Sequence, residues 1–402
     1  MKIYDIIIVG GGAAGFFTAI NAAENNPALK ILILERGKDV LSKVRISGGG
    51  RCNVTHAEFI PKELTKKYPR GEKELLGPFH TFMTGDTISW FEERGIRLKT
   101  EEDGRMFPVT DSSATIINCF LSQCRKLHIE IQKGHSLRKL KKQDDTWFLE
   151  TSAGEFTTQK VMLATGSNPK IWQMLQNFGH SIIDAVPSLF TFNIKDKRIE
   201  GLAGIASEAE VKVFGTGLES SDPLLITHWG MSGPAILKLS AWGARELHDF
   251  NYNFEITVNW IPGESFQSII EILKKIKVDS AKQQVNTRPQ FDLPRRLWQN
   301  IVEASTINAS GKWADLHKLQ LQALAKQLCE AKFQVKGKST FKEEFVTAGG
   351  IDLKEVDFKT FESKLHKNLF FAGEILNIDA ITGGFNFQNA WTGGYLAAKA
   401  MS

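Results

Sequence analysis

The chain has 402 residues, 42% of them hydrophobic and 24% charged. Those are ordinary proportions for a globular protein, and the length calls for two or three domains rather than one core. The net charge of +5 is modest for this length; it argues against nucleic acid as the partner and suits a small-molecule substrate or an anionic cofactor.

The first segment, "KIYDIIIVGGGAAGFFTAINAAENN", reads as a strand, a glycine turn and a helix. Its run Ile6 to Val9 is continuously apolar and β-branched, as expected of a parallel strand covered on both faces. "KILILE", from Lys30, is the next strand, which completes a βαβ unit and implies a parallel sheet. The stretch has no basic region ahead of it and is far too short to span a bilayer, so a cytoplasmic protein without membrane association is expected. Asp111-Ser112-Ser113 caps a helix over "ATIINCFLSQCRKL". Short strands come next, in a hairpin-like excursion that returns to the sheet at Val161–Ala164. From Pro187 the pattern turns antiparallel ("SEAEVKVFG", "YNFEITVNWIP") and then amphipathic-helical ("ESFQSIIEILKKIK", "WADLHKLQLQALAKQLCEA"). Sheet patterns resume at "LHKNLFFAGE". The organisation expected is an α/β protein whose first domain, residues 1–186 and 344–402, is interrupted by an inserted domain over 187–343.

Gly10-x-Gly12-x-x-Gly15 follows a strand and opens a helix, and Glu35 ends the second strand. The glycines permit a tight turn, close approach of a pyrophosphate and close helix–strand packing; the helix start favours phosphate, and Glu35 accepts from an adenosine ribose. Such a unit holds NAD or FAD. The C-terminus decides for FAD: an apolar strand ends in Gly373-Glu374, and Gly383-Gly384 opens a final helix whose N-terminus suits the negative charge of a reduced flavin. "VMLATGS" is a strand and glycine turn that either passes the cofactor or simply crosses to the next domain.

"SGGGRCN", Ser47 to Asn53, offers a flexible backbone with several N–H donors, and Arg51 adds a positive charge. Cys52 has no second cysteine at a redox spacing; the four cysteines, Cys52, Cys119, Cys124 and Cys329, form neither a disulfide framework nor a metal site. Cys52 is read as a small residue lining a cofactor loop, with a low-pKa thiol beside Arg51 as the alternative. "THWGMSGPA" places Thr227, His228, Ser232 and Gly233 on a turn before a helix. They read as a capped helix or as a wall of the substrate cleft, with His228 the candidate acid or base. The basic clusters Lys62–Lys73 and Arg138–Lys142 read as solvated surface.

The ordered set "VGGGAAG", "SGGGRCN", "ATG", "THWGMSGPA" and "FAGEILNIDAITGGFNFQNAW" resembles the BaiN-like, or aminoacetone-oxidase (YhiN-like), family of NAD(P)/FAD-dependent flavoproteins. The resemblance implies a Rossmann-like FAD-binding domain of the two-dinucleotide-binding type. The insert would comprise a β-barrel-like part, about 187–262, and a helical part, about 263–343. It implies cofactor contacts from Gly10, Gly12, Ala13, Ala14 and Gly15, from Glu35 with Arg36, from Lys43, and from Ser47, Gly48, Gly49, Gly50, Arg51, Cys52 and Asn53. Further contacts would come from Leu137, from Ala164, Thr165 and Gly166, from Gly373 and Glu374, and from Asp379, Gly383, Gly384, Phe385, Asn386 and Gln388. Phe385 stands where the family commonly has Tyr, so a role for that hydroxyl does not carry over. The expected activity is an FAD-dependent oxidoreductase acting on a small organic substrate. Its flavin would be reduced by substrate or by NADH or NADPH and reoxidised by O2 or an organic acceptor. A tRNA-modifying flavoenzyme and a non-catalytic redox sensor are the alternatives.

Overall fold

The computed structural model describes residues 2–340 and 346–402. The chain divides into two units, Met1–Val186 with Lys342–Ser402, and Pro187–Phe341. The second junction, expected near residue 343, lies outside the described residues.

In the first unit, β1 (Lys2–Val9), α1 (Ala13–Asn25) and β2 (Ile31–Glu35) form the initial βαβ unit. Ile6, Ile7, Ile8, Leu32, Ile33 and Leu34 are wholly buried, which only a sheet covered on both faces achieves. The parallel core of the sheet runs Leu369–Phe371, Gly154–Leu163, β1, β2, Glu130–Lys133. Its register sets where the connecting loops emerge. Val9 lies opposite both Leu34 and Leu163, and Leu163 lies opposite Phe371. The segments after these residues therefore leave the sheet at one level, along its carboxyl edge, where ligands of open α/β sheets bind.

The excursion between strands is an antiparallel hairpin, Leu137–Gln143 with Thr146–Thr151, which pairs with the first half of Gly154–Leu163. After β2 come α2 (Ser42–Gly50), β3 (Thr55–His56) and α3 (Pro61–Thr65). The last helix, Phe385–Met401, lies on α1, because Gly394 lets its backbone come close: a Cβ there would sit 3.1 Å from the carbonyl oxygen of Ala14. Phe17 and Phe120 close on Trp391 at 5.3 and 5.6 Å between ring centroids.

The second unit is built on a seven-stranded antiparallel sheet, from Ala331–Lys336 at one edge to Lys338–Ser339 at the other. Only Gly337 separates these two edge strands, so the sheet must curl back on itself. The N–H of Gly337 donates to the Tyr252 carbonyl, and its own carbonyl accepts from Asn193 N–H, joining the two edges. This differs from the expected partition, in which everything after about 263 is helical. Three helices, Phe266–Asp279, Arg295–Ala304 and Lys318–Cys329, are followed by two strands that complete the barrel-like sheet. "AKFQVK" alternates buried and exposed, and that period of two marks a strand.

Candidate functional site: an extended dinucleotide cradle

The carboxyl edge of the first unit begins with the glycine turn after β1. Gly10 has φ +119°, and a Cβ there would lie 2.2 Å from the Ala164 carbonyl oxygen; one at Gly15 would lie 2.0 Å from the Gly10 oxygen. At Gly12 nothing stands within 4 Å of that position. Two of the glycines are thus required by packing and the third keeps the backbone open to a ligand, as an approaching pyrophosphate demands. Ala13 and Ala14 start α1, and a Cβ added at Gly373 would lie 3.5 Å from that of Ala14, so the turn after the C-terminal strand passes near the first helix start.

Glu35 accepts from the N–H of Gly11 (2.8 Å) and of Gly37 (2.7 Å). Glu35 lines a shallow cleft open at its mouth, together with Gly10, Arg36, Leu137, Thr165 and Asn168 among others. Leu137 lies 102 residues after Glu35 and reaches the cleft through the hairpin. Asn168 caps the helix Pro169–Asn177 through Lys170 N–H at 3.1 Å. Gly166 turns with φ +63° beside Glu374, whose carboxylate is paired with Lys43.

The "SGGGRCN" stretch is where α2 breaks. Ser47 leaves the helix, and Gly48, Gly49 and Gly50 take φ of +58°, +69° and +86°. A Cβ at Gly49 or Gly50 would meet nothing within 4 Å, so this backbone lies open to a ligand. The structure shows what two side chains here touch. Arg51 does not offer a spare charge: its guanidinium lies 3.9 Å over the Phe107 ring and pairs with Glu101 (2.5 Å) and Asp111 (3.6 Å). Cys52 is fully buried, and burial pushes its thiol up to about 12. Desolvation disfavours the thiolate, which weighs against a low-pKa thiol at Cys52.

The last helix starts in contact with this loop. Gly384 caps it at φ +94°, and a Cβ there would lie 2.6 Å from the Thr55 oxygen. With its amide turned to suit both neighbours, Asn53 accepts from Gly384 N–H (3.0 Å) and donates to the Thr55 carbonyl (3.1 Å). The next three N–H groups, of Phe385, Asn386 and Phe387, have no intrahelical partner by helix geometry. Asn386 closes the preceding loop on Ala380, donating at 3.2 Å and accepting at 3.0 Å.

Two further residues expected at the cofactor have side chains bonded within the protein. Gln388 is wholly buried, accepts from the hydroxyls of Thr55 (2.6 Å) and Thr87 (3.0 Å) and donates to Thr392 (3.1 Å). Asp379 is also wholly buried and forms a two-point ion pair with Arg70. Both therefore hold the loop and helix in place through their side chains.

His56, Arg70 and Asn168 were not singled out from the sequence. The Nδ1–H of His56 donates to the Gly383 carbonyl at 3.1 Å, and its ring lies 4.5 Å from that of Phe385. Burial holds its pKa below the ordinary imidazole value. Only its position three residues after Asn53 hinted at a role. The remaining candidates, Thr227, His228, Ser232 and Gly233, belong to the second unit. Thr227 N–H donates to the Gly230 carbonyl (2.8 Å), His228 is exposed at the tip of the turn, and the Ser232 hydroxyl bonds that of Thr191 (3.0 Å). Gly233, at φ +85°, caps the helix Pro234–Trp242.

The residues present fit FAD: an adenosine cleft with an acid at its base, an open glycine turn at a helix start, a second open glycine loop and a second helix start, all along one sheet edge. Among the described residues no group of three metal-binding side chains occurs, and no helix is long and apolar enough to cross a membrane.

Comparison with known proteins agrees. The chain is 28% identical to a ribosomal RNA dihydrouridine synthase of Haemophilus influenzae, over 98% of each chain. It is 25% identical to a 3-dehydro-bile acid delta(4,6)-reductase of Clostridium scindens, again over 98% of each. Among solved structures, a 3-ketosteroid-delta4-(5alpha)-dehydrogenase from Rhodococcus jostii aligns with a TM-score of 0.52 at 11% identity, covering 99% of this chain and 97% of that one. A flavocytochrome c3 fumarate reductase aligns with a TM-score of 0.52 at 15% identity, covering 100% and 78%. These two show the shared fold. The family model described as the HI0933-like protein Rossmann domain matches residues 4–400, and with the cradle just described this places the chain in that family, the BaiN/YhiN-like group of FAD-dependent oxidoreductases.

Proposed function

We propose that the enzyme is a reductase that saturates a carbon–carbon double bond conjugated to a carbonyl, with the uracil ring of an RNA as substrate and NADH or NADPH as electron donor. The observation that carries the redox half is the open start of the last helix at Gly384, set against the Ser47–Asn53 loop. A helix N-terminus stabilises negative charge that develops beside it. The substrate half rests on what the relatives are named for. Dihydrouridine and a delta(4,6)-reduced bile acid both arise by adding hydrogen to an electron-poor alkene.

The reaction needs two electrons and two protons, delivered as a hydride to the carbon β to the carbonyl and a proton to the α carbon. Bound FAD supplies the hydride equivalent. Everything else falls to this chain. Glu35 and the Gly10–Gly15 turn hold the adenosine and pyrophosphate. Gly49, Gly50 and the first N–H groups after Gly384 hold the ring end. His228, exposed on the second unit, is the candidate acid, and Thr227, Ser232 and Gly233 beside it are the candidates for substrate contact. Cys52, buried and protonated, takes no part in proton transfer.

The test is to mix the holoenzyme anaerobically with NADH or NADPH and follow flavin absorbance. Bleaching is expected, and a uridine-containing RNA should then restore the yellow colour while yielding dihydrouridine. Recovery with a conjugated steroid enone and not with RNA would overturn the uracil assignment. Absence of bleaching would remove nicotinamide as donor.

A further inference from the structure

The basic segment Lys62–Lys73 reads from sequence as solvated surface without interleaved aromatics. The structure changes that reading. Immediately before α3, Phe59 and Ile60 are 55% and 58% exposed, and neither contributes to the core. Lys62 and Lys66 follow on the exposed side, with Lys67 half-exposed. Between residues 58 and 67 lie two acids, and both are engaged. Glu58 turns back to the N–H of Ile60 at 3.1 Å, and Glu63 accepts from Lys66 at 2.7 and 2.9 Å. The Glu63 carboxyl is held below the usual carboxylate range, first by that bond and also by the charges of Lys62 and Lys67, so the three ammonium groups crowd one carboxylate. Among the described residues neither Lys62 nor Lys67 has an ion pair.

This rim adjoins the cradle within the same unit. The Lys67 carbonyl accepts from Ile381 N–H at 3.0 Å, Arg70 forms a β-bridge with Asp379, and the charge of Lys67 reaches His56. The segment 56–70 is therefore stitched to the loop that leads into Gly383 and Gly384. An exposed aromatic flanked by unpaired lysines is the arrangement that binds single-stranded nucleic acid, by stacking a base and neutralising the adjacent phosphates.

We propose that Phe59, Lys62, Lys66 and Lys67 form the docking rim for the RNA strand that carries the base to be reduced. The inference rests on the uracil reading above and names where that RNA is gripped. A base beside the target stacks on Phe59, and the lysines neutralise phosphates on either side of it.

The experiment titrates the FAD-loaded enzyme with a fluorescent uridine-rich RNA of about 12 nucleotides, at salt from about 50 to 200 mM. The wild-type protein should bind with a salt-dependent affinity. The triple variant Lys62→Glu, Lys66→Glu, Lys67→Glu should bind at least about tenfold more weakly, with a log–log salt slope shallower by about 2, since each phosphate left without its lysine removes about 0.7 from the slope. Phe59→Ala should weaken binding about 5- to 100-fold at unchanged slope, since stacking carries no counterion release. Both variants should keep flavin absorbance and melting temperature, because these side chains lie outside the core. No binding by the wild-type protein at low salt overturns the proposal, as does equal binding by the triple variant. Capture by phosphatidylglycerol vesicles that needs the same lysines, without RNA binding, would overturn it in favour of a membrane surface. The two readings separate cleanly. RNA held through these lysines but never reduced refutes the reductase reading alone, and RNA reduced and bound equally well by the triple variant refutes the docking rim alone.

Discussion

Glu35 serves two structures at once. Its two oxygens accept from Gly11 and Gly37, which locks the turn after β1 to the end of β2, and each oxygen retains a lone pair for a ribose hydroxyl. Replacing it by alanine removes the ribose acceptor and leaves two backbone donors unpaired. Hydrogen bonds to a charged group contribute about 1.5–3 kcal/mol each, so Glu35→Ala should weaken FAD binding about 10- to 100-fold. Fluorescence titration of the apoprotein with FAD reads this directly, and an unchanged affinity would refute the ribose assignment. Glu35 is legible because its distance from the glycine motif follows from the length of one helix and one strand. Arg51 and Cys52 are less so. A sequence shows that a cation and a thiol are neighbours, but not that the cation faces Glu101 and Phe107 while the thiol points into the core.

At the scale of elements, the contact between the "SGGGRCN" loop and the last helix shapes what is proposed as the ring end of the cradle. Gly384 sits at positive φ with its Cα hydrogen against Thr55, so it has two reasons to be glycine. Gly384→Ala adds a methyl 2.6 Å from the Thr55 oxygen in a conformation that alanine avoids. A loss of roughly 1–3 kcal/mol in apoprotein stability is expected, together with weaker FAD binding, because the helix start must shift. Thermal melts with and without FAD check both, and an unaltered melt would show that the close approach is not made. Helices and strands of the first unit are legible because their periodicities are clean. The barrel-like sheet of the second unit is not. Its closing strands, Ala331–Lys336 and Lys338–Ser339, come after three helices, and no local pattern tells a strand which distant edge it will pair with.

At the scale of the whole molecule, the buried imidazole of His180 and the half-buried one of His56 contribute to the response to acid. Burial lowers the pKa of His56, and it lowers that of His180 despite the bond from His180 Nδ1 to Glu355 at 2.8 Å. Unfolded, both take up protons near pH ~6.5; folded, they resist. The unfolded chain therefore binds more protons as the pH falls, and stability present above pH ~6.5 is lost on the way down through the folded pKa values. The melting temperature should drop between about pH 7.5 and 5, and His180→Gln should flatten that fall; a variant with the same pH profile as the wild type would exclude His180 as a contributor. Neither histidine announces its burial in the sequence, because burial is a property of packing. The sequence by itself determines the βαβ unit, the glycine motifs and the cofactor class, since these depend on short-range sterics and on spacings set by helix and strand length. Only the tertiary structure decides that Gly10, Glu35, Ala164 and Gly373 leave the sheet at one level, that the buried side chains of Gln388 and Asp379 bond to Thr55, Thr87, Thr392 and Arg70, and that Phe59 stands exposed among lysines beside the cradle. These outcomes depend on register and on long-range packing, which pair residues hundreds of positions apart and leave no trace in local composition.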